Sequence, residues 1–494
     1  MRIDSNLKGD LKIVFDNAQA RAIEHYWRSF IILSGKNPEK PLPGIIENAI
    51  RYQKELRVKP QVLYVSEDRE QNIRRYQYFI ENTNLKGAKL DRIYFKETQK
   101  VLGKTYDILI MDLTNSLTPD DLGRLFGLVR GTGLIIALAP SIDKWDKIIT
   151  TFHEHLVTPP YTIKDVKHYF EERWVKKLFE HEVYIYDTDK EKAIKYIENE
   201  KDVAPPKAEF HRVYGEVFPK KLYGMCVTKD QAEALKKFEN LVNKEIAYVL
   251  TADRGRGKSV AVGLGIAGIT YVFYKKPFYI GITAPNRGNI ESLWEFLKKA
   301  LEKLELKYEE KKNKIKAGKV IIEYKQPQDL VKRKYDLVAV DEAAGVYVTY
   351  LYKIMNKYDR LVFSTTIHGY EGAGRTFNVR FLKALKENPN LMVIEHKMKE
   401  PIRYAIDDPV ERFMYDVLLL DAEPAKIENP TNPKLVKPDK RDFILNQEEK
   451  LRQFVGIYIM AHYKNRPNDI AMLADAPHHD LYYLEVEDNK DEDQ

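Results

Sequence analysis

Residues 249–260 read V-L-T-A-D-R-G-R-G-K-S-V, a short apolar strand running into a Gly- and Arg-rich turn that ends in Gly-Lys-Ser. A turn of this kind fits between a buried strand and a helix, with consecutive backbone N–H groups and the helix N-terminus surrounding the oxygens of a nucleoside triphosphate. The strict pattern has Gly where this chain has Ala252. The strand before the loop, Ile246 to Leu250, and the small-residue helix after it, Val260 to Gly268, supply the required context. In that frame Ala252, Asp253, Arg254, Gly255, Arg256, Gly257, Lys258 and Ser259 form the candidate loop. Lys258 reaches the β/γ-phosphates, Ser259 ligates Mg2+, and Gly255 and Gly257 let the backbone come close. For the motif taken alone, a basic glycine turn without a ligand stays open.

A second motif makes the first more specific. About eighty residues on, Tyr335 to Gly345 reads Y-D-L-V-A-V-D-E-A-A-G, a buried strand ending in two carboxylates. Asp341 is placed to hold Mg2+ and Glu342 to orient or deprotonate the attacking water. Between the motifs lies the strand Phe278 to Asn286, followed by a helix around Ile290 to Leu304. After them a strand ends in Ser364-Thr365-Thr366, and a Gly-rich turn presents Arg375 to a γ-phosphate. This repeated order of strand, loop and helix predicts a parallel sheet with ligands at the carboxyl ends of its strands. Upstream, Thr228 reads as a helix N-cap, and Gln231 lies where an amide pairs with adenine in many helicase-type ATPases. A solvent-facing helix glutamine is its alternative.

The first two hundred residues read as a separate α/β unit. Gln61 to Ser66, Tyr106 to Met111 and Gly133 to Ala139 are candidate buried strands, separated by helical patterns at Asp68 to Asn82 and Pro119 to Val129. They carry no phosphate loop, and Asp112 at a strand end is a weak candidate for chemistry. His153, His155 and His168 argue only weakly for zinc, and His478-His479 for a turn. Basic and aromatic residues interleave at Arg51 to Lys54, Arg74 to Tyr78 and Lys167 to Trp174. Such segments stack bases, or more often are amphipathic helices with an aromatic core face. The 494 residues allow about three domains. The single cysteine, Cys226, excludes an internal disulfide, as in a reducing compartment. No apolar leader or bilayer-length segment is present, which points to a cytoplasmic protein with no membrane partner. The net charge of +7, with the acidic stretch Glu485 to Gln494 set aside, leaves a basic remainder suited to a phosphate backbone. Abundant Lys, Glu, Ile and Tyr fit a thermophile.

Five stretches together resemble one family, the tRNA(Met) cytidine acetyltransferases and their eukaryotic RNA-acetylating relatives: T-A-D-R-G-R-G-K-S, A-V-D-E-A-A, T-I-H-G-Y-E-G-A-G-R, E-P-I-R-Y-A-I-D-D-P-V-E (Glu400 to Glu411) and L-L-L-D-A-E-P (Leu418 to Pro424). The resemblance implies an α/β fold class: an N-terminal α/β domain (1–204), a RecD-like P-loop NTPase domain with a parallel sheet (205–424), a linker (425–440) and the start of a GNAT-type α+β domain (441–494). It implies ATP and Mg2+ as cofactors and RNA, in particular tRNA, as partner. The implied activity is ATP-dependent transfer of acetyl from acetyl-CoA to cytidine N4. Asp112-Leu113-Thr114-Asn115 and Val129 to Gly133 resemble the family's N-terminal domain, whose expected role is RNA contact or scaffolding.

A GNAT fold holds acetyl-CoA on a Gln/Arg-x-x-Gly-x-Gly/Ala loop, and none follows Lys440. The expectation is therefore a chain cut early in its acetyltransferase domain: a fragment, a split product completed by a second polypeptide, or a degenerate paralogue. Two other functions stay open, a stand-alone RNA helicase or translocase and an ATP-switched RNA-binding factor.

Overall fold

Runs of Val, Ile and Leu too apolar to face water on either side require layers above and below them, and such runs form the centres of two sheets. The computed structural model describes residues 1–57, 59–206, 213–367, 381–425, 427–461 and 466–488. Within these, one compact unit is built from 1–206, 403–461 and 466–488, and a second from 213–402.

The first unit contains β1 (Ser29–Ser34), β2 (Gln61–Ser66), β3 (Lys89–Tyr94), β4 (Tyr106–Asp112), β5 (Val129–Ala139), β6 (Tyr184–Asp187) and β7 (Lys192–Lys195). Their order is β3-β2-β4-β5-β1-β6-β7, parallel except for the β6–β7 pair. Asp112 ends β4 fully buried, bonded to Thr114 Oγ1 at 2.6 Å and Arg75 Nη1 at 3.3 Å. Those partners satisfy its carboxylate, so it is a packing residue. The three basic-aromatic segments lie on or run into helices that turn some of their rings to the core, while Tyr78 stays exposed. Tyr52 on Leu42–Leu56 is buried, as are Phe170 and Trp174 on Tyr169–Glu180. Tyr76, on Glu70–Asn82, packs edge-on against buried Tyr64.

Residues 403–424, expected beside the nucleotide domain, pack with the first unit. Buried Arg28 supplies the reason: it bonds Asp408 through Nη2 at 2.8 Å and the Phe126 carbonyl through Nη1 at 2.6 Å. The Tyr404 ring covers its guanidinium at 3.6 Å. Arg403 Nη1 adds a bond to the Gly127 carbonyl at 2.9 Å. The stretch 425–440, expected as a linker, contains β16 (Pro430–Val436), paired antiparallel with β17 (Tyr483–Asp488). Its prolines are tolerated because the sheet has only two strands and the register shifts between Thr431 and Lys434.

The second unit contains β8 (Ile246–Ala252), β9 (Phe278–Thr283), β10 (Tyr308–Lys311), β11 (Lys314–Ala317), β12 (Val320–Tyr324), β13 (Leu337–Val340), β14 (Arg360–Thr366) and β15 (Met392–Met398). The order is β10-β11-β12-β9-β13-β14-β8-β15. From β12 to β15 neighbouring strands run parallel, and β10 and β11 are added antiparallel at one edge. The strand leading into the Gly-Lys-Ser turn and the strand leading into the acidic pair thus have one strand between them, β14. No helix among the described residues is long and apolar enough to cross a membrane.

Candidate nucleotide-binding site

Ala252 closes β8, buried and paired with Thr366 on one side and Met398 on the other. It is not among the positive-φ positions, so the place where the strict pattern has glycine tolerates a methyl group. Left-handed backbone begins further on: Gly255 and Gly257 both have φ of 79°. Gly257 is the N-cap of the helix Lys258–Phe273, whose first N–H groups lack intrahelical partners. The loop carbonyls are tied down from behind. The Gly255 carbonyl accepts from Ile402 N at 2.9 Å, and the Gly257 carbonyl accepts from Ala261 N at 3.0 Å and Gln231 Nε2 at 3.3 Å. Buried Arg256 donates through Nε to the Lys399 carbonyl at 3.1 Å and through Nη1 to the Arg254 carbonyl at 3.0 Å. Asp253 is half-buried, and Arg254 is exposed.

Three side chains meet beside this loop, one from the start of the helix Lys258–Phe273 and two from the ends of β14 and β13. Lys258 Nζ donates to Thr366 Oγ1 at 2.9 Å and to Glu342 Oε1 at 3.1 Å. The Thr366 hydroxyl donates to Glu342 Oε2 at 3.2 Å. Glu342 sits in the left-handed region at φ 47°, a conformation costly for a residue with a side chain and characteristic of functional turns. Burial raises its pKa, but the Lys258 charge and the Lys258 and Thr366 hydrogen bonds outweigh it and hold the carboxyl below its ordinary value. Asp341 has the opposite balance. Its burial and the adjacent Glu342 charge push it up to about 6, against the lowering effect of Lys258, Ser259 and Ser364.

Asp341 Oδ2 is buried and has no hydrogen-bond partner, and the buried Thr283 hydroxyl oxygen lacks one as well. An orphaned buried carboxylate oxygen on Asp341, whose carboxyl Ser259 also approaches, suits a hard divalent cation, so the residues present fit Mg2+. Two left-handed glycines leading into a helix N-terminus, with a buried lysine, likewise fit a polyphosphate. These features bring Lys258, Ser259, Asp341 and Glu342 together. Arg375 lies in 368–380, outside the described residues. Thr366 escaped the sequence reading as a site residue. Its only signal was the Ser-Thr-Thr end of β14, whose place between β13 and β8 no local pattern reveals.

Gln231 is buried on the helix Lys229–Phe238, capped by Thr228, whose side chain accepts from Gln231 N at 3.1 Å. Both ends of its amide are engaged, Oε1 by Val227 N at 2.9 Å and Nε2 by the Gly257 carbonyl. Of the histidines, His153 and His168 come together with Glu171, whereas His155 is exposed. Thr150 N lies 3.1 Å from His153 Nδ1, and Nε2 faces Glu171 Oε2 at 3.2 Å and Asp475 Oδ2 at 3.6 Å. Burial lowers the His153 pKa, but hydrogen bonds and charge from Asp475 and Glu171 outweigh it and push it up to about 9, which favours an ion pair with these carboxylates.

Three family models match: the N-terminal domain of tRNA(Met) cytidine acetyltransferase TmcA at 8–188, the helicase domain of RNA cytidine acetyltransferase NAT10/TcmA at 249–421, and GNAT acetyltransferase 2 at 453–494. The chain belongs to the tRNA(Met) cytidine acetyltransferase family. Among curated members it is 42% identical to TmcA of Thermococcus kodakarensis, with 98% of this chain and 64% of that protein covered. It is 40% identical to TmcA of Pyrococcus abyssi (96% and 62%) and 39% identical to that of Methanopyrus kandleri (97% and 60%). The chain thus spans less than two thirds of the length of these TmcA relatives. Among solved structures, the large terminase of a thermophilic bacteriophage is similar at 16% identity and a TM-score of 0.31, over 38% of this chain and 49% of that one.

Proposed function

We propose that this chain is the ATP-hydrolysing, RNA-handling part of an ATP-dependent RNA cytidine N4-acetyltransferase acting on tRNA. The observation that carries the proposal is the meeting of Lys258, Thr366 and Glu342 beside a buried Asp341 with an orphaned oxygen. Residues Ala252 to Ser259 hold the triphosphate, with Lys258 against its terminal phosphates. Ser259 and Asp341 hold Mg2+, which when bound neutralises charge between the β- and γ-phosphates. Glu342, kept ionised by Lys258 and Thr366, orients the attacking water and takes its proton. Arg375 is assigned to the γ-phosphate on its Gly-rich turn alone.

The described part of the acetyltransferase segment does not fit acetyl-CoA. Its single glycine after Lys440, Gly456, lies inside the helix Glu448–Ala461, where a Cβ would stand 2.4 Å from the backbone of Glu423 and Pro424. That glycine allows close packing and forms no phosphate turn. Hydrolysis is assigned to moving RNA. Exposing a stacked base costs a few kcal/mol, within reach of a nucleotide cycle.

The test measures ATP turnover with and without tRNA, for the wild type and Lys258→Ala, alongside acetyl transfer from labelled acetyl-CoA. Stimulation by tRNA that vanishes in the variant supports the proposal. Strand separation independent of acetyl-CoA would replace it with a helicase, and tight ATP binding without turnover with an ATP-controlled RNA-binding factor.

A further inference from the structure

In a trans peptide the carbonyl of one residue and the N–H of the next point in opposite directions. Anchoring a loop carbonyl from behind therefore aims the following N–H forward. At Gly255 the anchor is Ile402 N, which sets the Arg256 N–H, and at Gly257 the anchors are Ala261 N and Gln231 Nε2, which set the Lys258 N–H. Gln231 holds this place tightly: it is 1% exposed, its Oε1 is taken by Val227 N, and a Cβ built on Gly257 would stand 2.3 Å from its Nε2. A primary amide with its oxygen committed to one backbone N–H, its nitrogen bonded to the loop and its surface buried is poorly placed to pair with a base edge. The neighbouring Asp230 reinforces the support, accepting through Oδ2 from Lys399 N at 2.6 Å and Glu400 N at 2.9 Å. The segment Lys399–Ile402 behind the loop is thereby held to the same helix.

We infer that Gln231 is a positioning residue for the phosphate loop and does not read the base, so that it strengthens the binding of any polyphosphate, whatever nucleoside it carries. The inference rests on the nucleotide reading of this site given above. Gln231→Met removes the donor and keeps the volume, and Gln231→Glu keeps the acceptor for Val227 N but cannot donate to Gly257. Calorimetric titration of the whole chain with ADP, GDP and base-free tripolyphosphate, each with Mg2+, is the probe.

Both variants are expected to weaken all three ligands by the same factor, about tenfold, as for loss of one buried hydrogen bond. In turnover, KM for ATP and GTP rises together at unchanged kcat, whereas simple loss of folded protein lowers kcat at unchanged KM. Weaker ADP with unaltered GDP and tripolyphosphate would make Gln231 a base reader and overturn the inference. Unaltered affinity for all three would overturn it as well. A wild-type chain that binds none of them would instead refute the nucleotide reading itself.

Discussion

Gly255 and Gly257 share a φ of 79°, but a side chain at each would meet different surroundings. A Cβ at Gly255 would have no atom within 4 Å, whereas one at Gly257 would stand 2.3 Å from Gln231 Nε2 and 3.1 Å from the Ile402 side chain. Gly255→Ala therefore bears only the left-handed cost of an L-residue, about 1–2 kcal/mol. Gly257→Ala bears that cost and must also expel the Gln231 amide, which loses its bonds to Val227 N and the Gly257 carbonyl at about 1–3 kcal/mol more for the two. The second cost falls on Val227 N, whose 2.9 Å bond ends on Gln231 Oε1. Amide hydrogen exchange of the nucleotide-free protein reads it directly. Gly257→Ala should speed exchange at Val227 by about 5- to 150-fold, and Gly255→Ala should leave it within twofold. Equal exchange at Val227 in both variants would refute the claim that Gln231 is locked against the loop.

Thr366→Val, which keeps the side-chain shape but removes the hydroxyl between Lys258 and Glu342, should lower kcat for ATP by about tenfold or more with ATP affinity little changed, read from steady-state phosphate release. Arg28→Met leaves the Asp408 carboxylate buried without its guanidinium and should destabilise the first unit by about 3–5 kcal/mol in urea unfolding followed by tryptophan fluorescence. Asp475 supplies a pH test. It is buried against His153 and Glu171, and burial with the Glu171 charge pushes it up to about 7, against the lowering effect of His153. A carboxyl whose folded pKa exceeds its unfolded value near 3.8 contributes stability at low pH that is lost as pH rises toward 7. Asp475→Asn keeps an oxygen to accept from Phe170 N and should flatten the stability profile between about pH 4 and 7.

What was legible in the sequence was local. A strand followed by Gly-Arg-Gly-Lys-Ser announces its own loop, and Asp341-Glu342 at the end of an apolar run announces its own strand end, because both signals lie within a few residues. Thr228 was likewise readable as a cap for Lys229–Phe238. The role of Thr366 was not, since it depends on β14 lying between β13 and β8, a pairing of segments far apart in the chain. Gln231 was found at the right distance from the loop, but its orientation toward the Gly257 carbonyl is a tertiary fact. The stretch Glu400 to Glu411 carried resemblance without chemistry for a physical reason. Glu400 and Ile402 brace the phosphate loop and its neighbour Asp230, while Arg403 and Asp408 pack in the first unit through Gly127 and Arg28. His153 and Asp475 are separated by more than three hundred residues, so no spacing rule announces their meeting.

The most direct measurement is the initial rate of phosphate release from ATP with and without a tRNA transcript, for the wild type and for Glu342→Gln. The rate should be raised by tRNA in the wild type and lowered by about a hundredfold or more in the variant, with ATP still bound. Hydrolysis that survives Glu342→Gln, or a wild-type rate indifferent to tRNA, would contradict the proposed function.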